Sequence, residues 1–196
     1  MILKAKTNKS DFMNENMFVK FQLYITVMVF ILIWGLLIWN HHHGGIPSHH
    51  ILADKDLPEI SNWWGGLLLP LLSCFLLYRM KKRVIIKEDQ NLQKANIPVN
   101  TICGFLAALI FGIFLSVFFT LGYSDIPAYM LVGTFVLAFF FPIYKSEYIL
   151  GFVIGMTFTF GAVLPTAIGS ILALIGAFLY LCIRRVIFYI LSKLRK

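Results

Sequence analysis

The chain has 196 residues, of which 59% are apolar and 13% charged, and its mean hydropathy is +0.81, well beyond what a water-facing domain tolerates. The formal net charge of +8 comes without a basic domain or an RNA- or DNA-binding motif, so nucleic acid is excluded as a partner and anionic membrane lipid is the expected one. Six apolar stretches, 18–39, 60–78, 99–121, 127–144, 148–164 and 167–183, meet the demand of about 20 residues for a helix crossing about 30 Å of hydrocarbon. The alternation of barrel strands is absent, and the expected fold is an all-α, polytopic membrane protein built as a single six-helix bundle.

The first stretch follows Lys4, Lys6 and Lys9, as a signal peptide would. It is too long for a typical signal core and ends in Trp39-Asn40-His41 rather than in small residues, so it reads as a membrane anchor.

An outer loop, 40–59, comes next and holds all 5 histidines of the chain: His41, His42, His43, His49 and His50. Gly44-Gly45 ends the first helix and Pro47 stiffens the return, which folds the two histidine groups toward each other. His50 and Asp54 share a face if that segment turns helically, while Asp56 and Glu59 read as a capping pair for helix 2. Imidazoles gathered near one carboxylate are what a divalent first-row metal requires. The five histidines and Asp54 are therefore the candidate ligands, with zinc the first choice and copper or iron the alternatives. No spacing of the H-E-x-x-H type is present.

Helix 2 opens with Trp63 and Trp64 and contains Pro70, which is expected to kink it. The inner connection 79–98, rich in Lys and Arg, reads as a solvated loop. At the turn between helices 3 and 4, marked by Gly122 and Pro127, stand Tyr123, Ser124 and Asp125. Together with Trp63 and Trp64, Tyr123 and Ser124 are candidate walls of an outer pocket, and Asp125 is a candidate carboxylate from a second loop. Further tight turns are expected at 145–147 and 165–166, and Gly151 and Gly155 offer a close-approach pair for helix packing. Cys74, Cys103 and Cys182 read as small packing residues. The tail 184–196 alternates basic and apolar residues and is expected to extend helix 6 as an amphipathic segment.

Sixteen of the 17 Lys and Arg residues fall on one side of this arrangement, with Lys55 the exception. That bias puts both termini in the cytoplasm, and the small size and short loops suit a bacterial inner membrane. No Asp, Glu, Lys, Arg or His falls in the middle of any stretch, which disfavours ion-coupled transport. The functional expectation is a metal site on the outer, periplasmic face. There a metal-bound water, oriented by Asp54 or Asp125, would attack a lipid or other membrane-delivered substrate. A metal-binding or pH-gated passage for a small solute, and a structural subunit of a membrane complex, are the alternatives. The sequence leaves open whether the chain is an enzyme, and its oligomeric state.

Overall fold

A computed structural model of the chain describes residues 2–43, 48–50, 59–61, 63–91, 99–123 and 125–194. In chain order the elements are α1 (Ile2–His42), β1 (Ser48–His50), β2 (Glu59–Ser61), α2 (Trp63–Asn91), α3 (Val99–Thr120), α4 (Asp125–Phe140), α5 (Ser146–Phe160) and α6 (Val163–Phe178). α6 continues through a π-helical turn (Leu179–Ile183) into α7 (Arg184–Leu194). Segments within α1, α2, α3 and the α6–α7 run are long and apolar enough to cross a membrane: Gln22–His42, Trp63–Arg83, Val99–Thr120 and Val163–Ile187. Length and composition thus mark a helical membrane protein.

The other two apolar helices are shorter. With 16 and 15 residues, α4 and α5 rise only about 24 and 22 Å at 1.5 Å per residue, less than the hydrocarbon thickness. α5 is the more buried of the two. Ten of its 15 residues are buried, and Phe152, Val153, Met156 and Phe160 anchor a core completed by Val29, Ile33 and Leu37 of α1, Leu69 of α2 and Leu115 of α3. It is the hub of the packing, with Phe158 facing outward.

α3 and α5 run parallel and form the closest helix pair. A Cβ at Gly112 would stand 2.8 Å from the Phe152 carbonyl oxygen, and one at Gly155 would stand 2.5 Å from that of Leu109. Backbone meets backbone because these residues have no side chain, so the Gly151 and Gly155 pair builds the interior of the bundle. α1 and α2 run antiparallel: Leu37 packs over Gly66, and Gln22 donates from Nε2 to the Cys74 carbonyl at 3.0 Å.

The boundaries depart from the sequence expectation for local reasons. α4 stops at Phe140 rather than 144 because Pro142 lacks an N–H and drives Phe141 out of helical conformation. The break between α5 and α6 lies at Gly161, whose φ of +69° favours glycine, and not at 165–166. Pro165 is simply tolerated in the first turn of α6, where an amide would have no intrahelical partner. The connection 79–98, expected as a loop, is helical as far as Asn91. Glu59 lies in β2 instead of capping α2, whose first amide, that of Trp63, donates to Ser61 Oγ at 3.4 Å. The three cysteines are free and exposed rather than packed in the core.

At the end of α3 the expectation holds. Tyr123 N–H donates to the Phe118 carbonyl at 3.1 Å and Gly122 N–H to that of Phe119 at 3.0 Å, with Gly122 at φ +85°. This is a Schellman cap, and its usual apolar contact is present as the edge-on packing of Tyr123 against Phe118, 6.5 Å between centroids.

Candidate functional site

The bundle has two chemically distinct ends. At one, α1 finishes in His41 and His42, and His43 forms the turn beyond. The His43 ring stacks on Trp39 at 3.9 Å, and its Nδ1 lies 3.0 Å from the Trp39 carbonyl. A carbonyl can only accept, so Nδ1 carries the proton and Nε2 holds the lone pair in the neutral ring. His41 meets His42 edge-on at 5.5 Å and lies 6.2 Å from the Trp63 ring. All three imidazoles are exposed.

The chain then returns through an antiparallel pairing of β1 with β2, in which Ser48 is opposite Ser61, His49 opposite Ile60 and His50 opposite Glu59. Both histidine groups thus belong to the end where α2 begins. Among the described residues, no three His, Cys, Asp or Glu side chains form a group that could hold a metal ion. Asp54 and Ser124 lie outside the described residues. Asp125 is exposed in the first turn of α4, where a carboxylate complements the helix dipole. Trp63, Trp64 and Tyr123 are 46%, 66% and 56% exposed.

The other end was not singled out by the sequence. Arg83 lies twenty residues along α2 from Trp63, about 30 Å away, and donates from Nη2 to Oε2 of Glu147 at 2.6 Å. The Glu147 side chain is only 4% exposed and that of Arg83 29%. Burying a carboxylate costs several kcal/mol unless a cation and hydrogen bonds compensate, and Arg83 supplies both. The pair is recessed. Tyr148, the residue after Glu147, packs against Gly104, five residues into α3, while α2 continues for eight residues past Arg83.

Beside this pair opens a cleft of about 700 Å3 between α3, α4, α5 and α6, within the range of small-molecule sites. Small side chains, Ala107 of α3 and Ala173 of α6, form part of its wall, whereas Gly104 and Gly169 are covered by Tyr148 and Phe152 packed against them. The wall is apolar in depth, with Phe111, Leu137, Phe152 and Leu172. The rim is polar, carrying Arg83, Lys145, Glu147, Asn100 and the Tyr148 side chain. Of the candidate residues whose side chains are described, His41, His42, His43, Asp125, Trp63, Trp64 and Tyr123, none lines it.

Such a space suits a molecule with a polar or charged end and an apolar body. The sequence pattern hides it, because Arg83 falls in the expected loop 79–98 and Lys145 and Glu147 in an expected tight turn. The usable signal was Glu147 itself, a lone acid set between two apolar runs on the side of the chain where nearly all the cations fall. Comparison of the chain with known protein families, with curated proteins and with solved structures returns no match.

Proposed function

We propose that the chain is a bacterial inner-membrane protein with six spans, the shorter α4 and α5 included, and both termini cytoplasmic. In this reading its function is to take an amphiphilic molecule from the lipid phase into the cleft between α3 and α6. One observation carries the reading: a cavity with an apolar depth whose rim joins a cation, Arg83, to a buried acid, Glu147. The basic bias of the sequence puts that rim at the inner leaflet. The reading is one of binding or transfer and names no reaction.

The test is recovery of bound molecules from protein purified in mild detergent, beside a variant with Ala107→Phe, which fills the cleft from an exposed position. A near-stoichiometric amphiphile present in the parent and lost in the variant supports the reading. Absence of any such molecule from the parent rejects it.

A second reading keeps a divalent metal at the histidine end. It is favoured by the β1–β2 pairing, which returns His49 and His50 to the end of the bundle where His41, His42 and His43 lie, with His50 opposite Glu59. Elemental analysis of tag-free protein tests it: zinc, copper or iron near one per chain, lost when His43, His49 and His50 are changed to Ala, is the expected result. Metal absent after incubation with all three salts sinks it.

A further inference from the structure

We infer that the occupant of the cleft is a single-chain amphiphile, one apolar chain seated along α3 with its polar head at the rim; this rests on the amphiphile reading above and gives that site its substrate class. Length is the first argument. The lining runs from Asn100 at the rim to Phe111, eleven residues along α3, which at 1.5 Å per residue is about 16 Å. That is close to half of a hydrocarbon core of about 30 Å, so the cleft has the depth of one leaflet and the reach of one acyl chain. Aromatic rings shut its far end. Phe111 and Phe152 stand 6.3 Å apart, and a Cβ at Gly169 would lie 3.2 Å from Phe152 Cδ1. Thr134, which α4 contributes to the lining, donates its hydroxyl to the Leu131 carbonyl of its own helix, so that donor is not offered to the cleft.

Volume is the second argument. A water molecule takes about 30 Å3 of the liquid and a methylene group is close to it in size, so about 700 Å3 holds roughly 23 such groups. One palmitoyl chain with a small head comes to about that number, whereas the two chains and branched backbone of a diacyl lipid come to about twice it. The rim is the third argument. Arg83, Asn100 and Glu147 reach it from α2, α3 and α5, and Ile143 closes α4 against α6, because a Cβ at Gly176 would stand 2.8 Å from Ile143 Cγ1. A second chain joined at the head would lie against polar groups on three helices or against that closed seam. The rim therefore favours a head that carries one chain.

The experiment is native mass spectrometry of the purified full chain in a branched two-chain detergent, which does not compete for the cleft as a single-chain detergent would. The probes are palmitoyl pairs matched in head group and concentration: monoacylglycerol with diacylglycerol, and lysophosphatidylcholine, a single-chain phospholipid, with phosphatidylcholine. The expected result is retention of the single-chain member over its partner by about tenfold in both pairs, which corresponds to about two methylene groups left unburied in the poorer fit. Ala107→Phe should abolish retention of the single-chain members. Phe111→Ala, which removes a ring from the floor, should move the preferred chain of a lysophosphatidylcholine series from palmitoyl toward stearoyl and arachidoyl. Equal or better retention of the two-chain members in either pair overturns the single-chain inference and leaves the amphiphile reading standing. Retention of no amphiphile overturns both. A chain-length preference that does not move in Phe111→Ala overturns the seating of the chain along α3 with its end at that floor.

Discussion

Glu147 and Arg83, sixty-four positions apart in sequence, meet at 2.6 Å beside the mouth of the cleft, and the carboxylate has almost no other access to solvent. Removing one partner leaves the other charge buried in an apolar surround. Arg83→Ala is predicted to destabilise the folded protein by about 3 kcal/mol, the low end of the range for such pairs because Arg83 is partly exposed. Glu147→Gln, which keeps an acceptor, should cost less. Thermal unfolding in detergent of both variants and of the doubly neutral protein measures this. A double variant less stable than Arg83→Ala alone would contradict the account.

The α3–α5 seam allows no side chain at its closest points. Gly155→Ala puts a methyl group within contact of the Leu109 carbonyl and is predicted to cost about 1–3 kcal/mol, the usual range for overpacking. Gly35→Ala, at a site with nothing within 4 Å, is the control and should be neutral or slightly stabilising. Equal melting temperatures for the two would mean that the helices are not in this register.

Gly122 supplies the left-handed residue that closes α3. An alanine there is predicted to cost about 1 kcal/mol, because an L-residue at φ +85° is strained whatever its surroundings. The effect should be confined to the turn between α3 and α4, read as faster amide exchange at Tyr123 with the core amides of α5 unchanged. Exchange that rises throughout α5 would show that the turn and the core open together.

Much of this fold was legible in the sequence. Each of the six apolar stretches contains a helix, four of them long and apolar enough to cross a membrane, and Gly122 marks its turn correctly. What failed was local. Pro165 was read as a break although a first-turn proline costs nothing, while Gly161, whose positive φ has no composition signal, made the real one. The histidine cluster was conspicuous because its members are neighbours in the chain. The cleft is hidden for the opposite reason: its lining is assembled from residues of α2, α3, α4, α5 and α6 that are far apart in the chain. Nothing in a single sequence shows which residues face one another across a gap.

The proposed orientation puts the histidine end outside and the α7 end inside. With the three native cysteines replaced by serine, a cysteine at His43 should react with a membrane-impermeant maleimide in intact cells. One at Lys193 should react only after permeabilisation, both sites being exposed. The reverse pattern would put the cleft rim at the outer leaflet.

The central claim is that an amphiphile occupies the cleft, and the most direct measurement is photo-crosslinking with a phospholipid bearing a diazirine at mid-chain, followed by peptide mapping. The account predicts adducts concentrated on the cleft-facing residues around Ala107 to Phe111 of α3 and Leu172 and Ala173 of α6, and their loss in Ala107→Phe. Adducts spread evenly over outward residues such as Leu23, Ile31, Leu71 and Leu174, unaffected by that change, would mean that lipid only surrounds the bundle and that the cleft does not receive it.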